Sequence, residues 1–217
     1  MSQTHSLPGI QPGQPAPDFT LPAIHREGTV SLSDYRGTTA VLLAIYRGLY
    51  CPFCRRTIAQ LDRAYEPLKA VGVEALGVVA TEAHNARLYF RFRPTRLPLL
   101  ADPELTTHAL YRVPRPAMTD DVAKFLAETP LDPTGELPAP LPLMALGEEL
   151  DRRDGFTPTD VDHRDMQRQW GQLKGQFLVD RDGIVRWQNV ECAQEGLHGL
   201  GKFPSNDELL RVARTCL

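Results

Sequence analysis

The sequence predicts an α/β fold in which helices flank a central mixed sheet. Residues 40–46 and 73–80 form continuous apolar runs with little alternation, which is typical of strands buried on both faces. Amphipathic segments lie between the apolar runs, so strands and helices alternate as in βαβ units. A turn signal at residues 180–183 adds an antiparallel hairpin late in the chain, and this makes the predicted sheet mixed.

The elements before residue 114 follow from the same patterns. Four prolines within the first seventeen residues indicate an extended arm, and a turn near Gly28 separates two short strands. The helix after the cysteine pair is predicted to end at Gly72, because its apolar residues recur at helical spacing up to that point. The predicted elements are strands at 19–21, 30–32, 40–46, 73–80 and 97–100, a helical turn at 33–37, and helices at 52–71, 82–92 and 105–111.

Residues 114–169 interrupt the alternation of strands and helices. This segment contains eight prolines, and we interpret it as an insertion into the α/β scaffold, with short helices at 120–128 and 160–170. The sheet resumes with strands at 176–179 and 184–187, and a helix at 207–215 closes the chain. The whole chain, 1–217, is therefore predicted to be a single domain with a proline-rich insertion before the last hairpin.

Composition and charge exclude several classes of function. The chain has 217 residues, 24 basic and 27 acidic side chains and a formal net charge of −3, so nucleic acid and anionic membranes are not expected partners. No apolar run reaches the roughly 20 residues of a membrane span. The first twenty residues lack the basic start and apolar core of a secretory signal, so we expect a cytoplasmic protein. In that reducing compartment, cysteines more often serve catalysis or metal binding than structural disulfides.

The Cys51-Pro52-Phe53-Cys54 motif carries the predicted chemistry. It lies between a buried strand and a helix, so the Cys51 thiol is expected at a helix N-terminus, where unpaired N–H groups stabilise a thiolate. Pro52 suits the first helical position. Cys54 lies one turn into the helix, close enough to form a disulfide with Cys51. Three arginines, at positions 47, 55 and 56, are predicted to add positive charge beside the nucleophile.

Two other interpretations of the motif are open at this point. A Cys-x-x-Cys pair is also half of a zinc site, but Cys192 and His198 do not form a second pair with the usual spacing. A buried, inert pair fits poorly with so many neighbouring arginines. No metal or cofactor is therefore predicted.

Several ordered landmarks resemble the AhpC/TSA peroxiredoxins, and the cysteine motif most resembles a peroxiredoxin-like branch that carries CxxC. The resemblance covers residues 13–113 and 174–190 and implies a thioredoxin fold with peroxiredoxin additions. The landmarks are APDFTL at 16–21, VSLSDYRG at 30–37, YRGLYCPFC at 46–54, LPLLADP at 97–103, ALY at 109–111, and KGQFLVD at 174–180 with Asp182-Gly183.

The sequence departs from the family pattern at the site itself. Gly48 and Ala44 stand where these enzymes have a threonine or serine and a proline, and Lys174 stands where they have an arginine. Lysine keeps the positive charge but lacks the planar fork of arginine. Gly175 stands near the place where thioredoxins have a cis-proline. If the site reduces peroxides with Cys51 and Cys54, Arg47 and Lys174 are expected to lower the pKa of the thiol and to stabilise the charge on the leaving oxygen.

Three functions are weighed for this site. The first is hydroperoxide reduction, in which a Cys51 sulfenic acid is resolved by Cys54 as a disulfide and a thioredoxin- or glutaredoxin-type dithiol reduces it. The second is thiol–disulfide exchange, which the CxxC motif and the missing hydroxyl at Gly48 favour. The third is a non-catalytic redox sensor with the 114–169 insertion as its partner surface. The resemblance also implies a homodimer.

Four further residues are interpreted as structural. Cys192 is expected to be a small buried hydrophobic residue rather than a third redox thiol. The charged residues Asp162 and His163 are predicted to lie on a solvated helix face. Trp170 is predicted to contribute to core or lid packing rather than to a ligand site.

Overall fold

The computed structural model describes residues 8–216 and contains seven strands and seven α-helices in that range. The strands are β1 (Thr20–Pro22), β2 (Thr29–Ser31), β3 (Ala40–Tyr46), β4 (Val73–Val79), β5 (Leu99–Ala101), β6 (Gly175–Val179) and β7 (Val185–Val190). The helices are α1 (Pro52–Ala70), α2 (Ala83–Phe92), α3 (Thr106–Leu110), α4 (Asp120–Glu128), α5 (Leu143–Asp154), α6 (Asp160–Gln169) and α7 (Asn206–Ala213).

Five strands form the central mixed sheet in the order β5-β4-β3-β6-β7. β3, β4 and β5 are parallel, whereas β6 pairs antiparallel with both β3 and β7. Gly175 at the start of β6 lies opposite Ile45 near the end of β3 and opposite Val190 at the end of β7. This register brings together the residues that follow β3, precede β6 and follow β7, so they lie at the same end of the sheet.

Burial explains why the central strands form where the sequence predicts them. Every residue of β3 is buried, as is every residue of β6, so these strands lie between layers of helices. α1 packs on the sheet through a face that includes Ile58, Leu61 and Leu68. The predicted α/β architecture, with its mixed central sheet and flanking helices, is confirmed.

The insertion is more helical than the sequence predicts. α4 and α6 occupy the predicted helical pieces, but α5 lies in a stretch that was expected to be irregular. The prolines at 138, 140 and 142 make this stretch of sequence look irregular. All three precede the first residue of the helix, Leu143, so none interrupts its hydrogen bonds. An antiparallel bridge between Leu131 and Leu141 then joins the two ends of the α4–α5 connection.

Within residues 8–216, no helix is long and apolar enough to cross a membrane. The same residues contain no group of three or more histidine, cysteine or acidic side chains placed to hold a metal ion.

Candidate active site

Cys51 lies at the junction of the loop after β3 and the first turn of α1. It is the N-cap residue of the helix, and Pro52 occupies the first helical position as expected. Its Sγ accepts a hydrogen bond from the backbone N–H of Cys54 at 3.4 Å. Both cysteines are buried free thiols. The helix N-terminus therefore directs an N–H group at the predicted nucleophile.

Two buried cations approach the cysteine pair from neighbouring strand ends. Arg47 directly follows β3, and Lys174 directly precedes β6, so the sheet register brings them together. The Lys174 ammonium is completely buried and donates to the backbone carbonyl of Gly201 at 3.1 Å. Arg47 and Lys174, which the sequence predicts as site residues, thus lie at the same end of the central strands as Cys51.

Glu191 holds these cations in place. Its carboxylate accepts from Arg47 Nη1 at 3.1 Å, from the backbone N–H of Lys174 at 3.2 Å and from the N–H of Gly201 at 2.7 Å. The Lys174 ammonium lies 3.8 Å from the same carboxylate. Sequence reasoning missed Glu191, because an isolated glutamate after a strand has no motif. Two cations and one carboxylate leave one buried positive charge to be balanced by an anion at Cys51.

The two thiols have opposite pKa shifts. Burial alone would raise the pKa of Cys51, but the hydrogen bond from Cys54, the charges of Arg47 and Lys174 and the helix N–H lower it to about 5. Burial, and then the neighbouring Cys51 thiolate, raise the pKa of Cys54 well above its ordinary value. At neutral pH the pair is therefore one thiolate and one thiol.

The insertion fixes the loop that carries Cys51. Gln169, the last residue of α6, accepts from the backbone N–H of Gly48 at 2.7 Å through its side-chain oxygen. Thr81 Oγ1 accepts from the N–H of Leu49 at 3.0 Å and donates to Asp165 on α6 at 3.1 Å. Helix α6 is thus attached to the residues immediately before the nucleophile.

Gly48 has a structural reason for being glycine. A Cβ atom placed on it would lie 3.0–3.2 Å from side-chain atoms of Tyr50, Thr81 and Gln169. These contacts are tighter than ordinary van der Waals distances, so a threonine at this position requires its neighbours to move. Glycine at position 48 therefore leaves room for the side chains that surround this loop.

Arg55 and Arg56, which were predicted to add positive charge beside the nucleophile, are both paired with carboxylates. The Arg55 guanidinium pairs with Asp151 on α5 and donates to the carbonyl of Leu49 at 2.8 Å. Arg56 pairs with Asp154 and with Glu136 of the insertion. Carboxylates of the insertion, which the local sequence around the cysteines does not contain, neutralise both arginines and attach α5 to α1.

A cavity of about 380 Å³ opens above Cys51. Cys51, Arg47 and Phe53 contribute to one side of it, and the insertion supplies most of the remaining lining. His163 and Asp162 line this cavity, so the predicted solvated helix face is only part of their environment. Trp170 also lines it and is 38% exposed, so it is a cavity wall rather than a core residue.

The comparisons with known proteins identify the family. The model of the AhpC/TSA family matches residues 12–188. The chain belongs to the AhpC/TSA family. Relatives in this family include "Peroxiredoxin 2" of Thermoplasma acidophilum, 24% identical over 202 residues that cover 93% of this chain and 74% of the relative. "Peroxiredoxin" of Thermoplasma volcanium is 24% identical over 184 residues, which cover 85% of this chain and 67% of the relative.

Solved structures with the same fold include peroxiredoxins and a disulfide-interchange protein. Peroxidoxin BcpB from Mycobacterium tuberculosis superposes with a TM-score of 0.59 at 16% identity, covering 96% of this chain and 99% of that protein. A putative thiol:disulfide interchange protein DsbE from Chlorobium tepidum superposes with a TM-score of 0.51 at 20% identity. The superposition covers 94% of this chain and 95% of that protein. These likenesses confirm the thioredoxin-like fold of this AhpC/TSA member. Membership of the AhpC/TSA family supports a thiol peroxidase or a thiol–disulfide oxidoreductase.

Cys192 lies outside this AhpC/TSA cysteine pair. Burial, and then the charge of Glu191, raise the pKa of its thiol to about 12, so it is protonated at neutral pH. Its backbone has φ of +65°, a left-handed conformation at the end of the hairpin. Cys192 packs against the core as predicted, but it is only partly buried rather than buried.

Proposed function

We propose that the protein reduces hydroperoxides with Cys51 as the nucleophile and Cys54 as the resolving thiol. The observation that carries the proposal is the position of Cys51, which is buried, lines a cavity and lies beside two cations that share one carboxylate. This arrangement keeps the thiolate, the reactive form of cysteine, populated at neutral pH.

The proposed reaction has three steps. The Cys51 thiolate attacks the terminal oxygen of ROOH, the O–O bond breaks, and the alkoxide leaves and takes up a proton to give ROH. Cys54–SH then attacks the Cys51 sulfenic acid, forming the Cys51–Cys54 disulfide and releasing water. An external dithiol of the thioredoxin or glutaredoxin type returns both cysteines to the reduced state and becomes a disulfide.

Arg47 supports the peroxide reaction in place of a hydroxyl at Gly48. Its Nη1 atom donates to Glu191 and to the carbonyl of Gln172 at 3.0 Å. Its Nε–H is buried and has no hydrogen-bond partner among residues 8–216, and Arg47 lines the cavity. A free donor on a cation beside the thiolate is suited to stabilise the negative charge that develops on the leaving oxygen.

The second candidate is thiol–disulfide exchange with a small disulfide. The hydrogen bonds from Cys54 to the sulfur of Cys51 favour it, because they keep the two cysteines side by side in the first turn of α1. Against a protein disulfide, both cysteines are at least 96% buried, so a macromolecular substrate would have to displace part of the cavity wall.

Steady-state turnover distinguishes these functions. Purified protein with thioredoxin, its reductase and NADPH is given either tert-butyl hydroperoxide or bis(2-hydroxyethyl) disulfide. The proposal expects continuous, Cys51-dependent oxidation of NADPH with the hydroperoxide and much slower oxidation with the disulfide. The reverse preference would establish the exchange reaction, and a single stoichiometric oxidation with either oxidant would indicate a redox sensor. The homodimer implied by the family stays a prediction, which light scattering tests.

A further inference from the structure

The cavity above Cys51 is larger and more apolar than hydrogen peroxide requires. Its volume of about 380 Å³ lies within the range of sites that hold organic ligands, about 300–1,000 Å³. The walls are made by apolar side chains of the insertion, such as Val122, Leu126, Leu143 and Met166. Binding of an apolar substituent in this cavity is favourable because it removes apolar surface from water. Hydrogen peroxide has no apolar surface, so these side chains do not favour its binding.

The charges around the cavity disfavour an anionic substrate. Glu148 is exposed, lines the cavity, and has no ion-pair partner among residues 8–216. Asp162 also lines it and uses its carboxylate to cap α6 through Thr159. Arg47, one of the two cations beside the nucleophile, is already paired with Glu191. A carboxylate entering past Glu148 and Asp162 would therefore meet repulsion.

We propose that the insertion makes the site selective for uncharged hydroperoxides with a bulky apolar substituent, over both hydrogen peroxide and anionic hydroperoxides. This inference rests on the proposed function and uses the same reaction. The Cys51 sulfur forms a bond to the terminal oxygen, the O–O bond breaks, and the bulky alcohol leaves with a proton from solvent. The substituent occupies the apolar space beneath α4, α5 and α6 while this occurs.

Gly147 provides a direct way to fill the cavity. It lies within α5 and lines the cavity, and a Cβ atom added to it has no neighbour within 4 Å. A Gly147→Leu variant therefore places an apolar side chain in the space assigned to the substrate without a clash at its first atom. Leucine also has a higher helix propensity than glycine, so α5 is expected to be retained.

The experiment compares second-order rate constants for oxidation of Cys51 by cumene hydroperoxide and by hydrogen peroxide, measured by stopped flow. In the wild type, we expect the ratio of the first constant to the second to be about ten or more, from burial of the aromatic substituent. In Gly147→Leu, we expect this ratio to fall about tenfold. The matched control is Ala145→Leu, which adds the same side chain to an exposed position of α5, and it should keep the wild-type ratio.

The outcomes separate the two proposals. A wild-type ratio of one or less, or a ratio that Gly147→Leu leaves unchanged, overturns the substrate selectivity while the peroxidase function stands. If neither hydroperoxide oxidises Cys51, the peroxidase function itself fails and the selectivity falls with it.

The charge selectivity is tested with linoleate hydroperoxide, whose carboxylate is ionised at neutral pH. We expect Glu148→Gln to raise its rate constant about twofold relative to that of cumene hydroperoxide, and the effect should diminish at high salt. A rate constant for linoleate hydroperoxide that exceeds that of cumene hydroperoxide in the wild type would overturn the exclusion of anionic substrates.

Discussion

Replacing Lys174 with methionine tests how the protein stabilises the Cys51 thiolate. The ammonium is completely buried and, together with Arg47, lowers the pKa of Cys51. Methionine fills a similar volume without the charge. Removing this buried charge should therefore raise the pKa of Cys51 from about 5 by about one unit or more.

The sign of the expected effect follows from the thiolate fraction. With a pKa of about 5, Cys51 is half ionised near pH 5 and fully ionised at neutral pH. If the pKa rises by about one unit, the ionised fraction at pH 5 falls to about a tenth. A thiol of higher pKa is also a stronger nucleophile once ionised, by about threefold per unit. The variant should therefore react more slowly than wild type at pH 5 and faster at pH 8.

The assay is the pH dependence of alkylation by iodoacetamide, followed by mass spectrometry of Cys51 in a Cys54→Ser background. The midpoint should move upward in Lys174→Met. Lys202→Met is the matched control, because Lys202 is half exposed and pairs with Glu195 on the surface. An unchanged midpoint in Lys174→Met, or an equal shift in Lys202→Met, would refute the assignment of the thiolate's stability to the buried ammonium.

Three further predictions follow from the same contacts. Glu191→Leu should lower the free energy of unfolding by about 3–5 kcal/mol in urea denaturation, because it removes the carboxylate that pairs with two buried cations; a loss below 1 kcal/mol, as expected for a surface glutamate such as Glu195, would contradict this. Lys174→Met should make the potential of the cysteine pair about 30 mV more negative per unit of pKa, measured by equilibration with glutathione at pH 7, since the reduced form loses its stabilised thiolate; an unshifted potential would count against it. Gly147→Ala should raise the thermal midpoint, with a gain of about 0.5–1 kcal/mol from helix propensity, and a lower midpoint would show that the space around it is not open.

The sheet was predictable because its signals are local. The apolar run 40–46 coincides with β3, and the turn at 180–183 joins β6 to β7 as expected. Boundaries differ by one to three residues, as at β7, which extends three residues beyond the predicted Trp187. Helix α5 was missed because its signal follows a run of prolines. Its own apolar pattern is short, since only Leu146 and Leu150 are buried, and ion pairs with α1 add to its attachment.

The cysteine pair was predictable for the same reason, but its surroundings were not. The order strand, CxxC, helix places Cys51 at an N-terminus from sequence alone. The partners of Arg55 and the role of Glu191 depend on residues that are about a hundred or more positions away in the chain. Glu191 reaches Arg47 only because β6 and β7 return to the end of β3. No local pattern contains that information.

The most direct test of the peroxidase proposal is the identity of the oxidised species. Wild type, Cys51→Ser and Cys54→Ser are treated with one equivalent of hydroperoxide, and their thiol states are determined by mass spectrometry. The account predicts a Cys51–Cys54 disulfide in the wild type, a trapped Cys51 sulfenic acid in Cys54→Ser, and no rapid oxidation in Cys51→Ser. If Cys51→Ser is oxidised as rapidly as the wild type, Cys51 is not the nucleophile and the account is wrong.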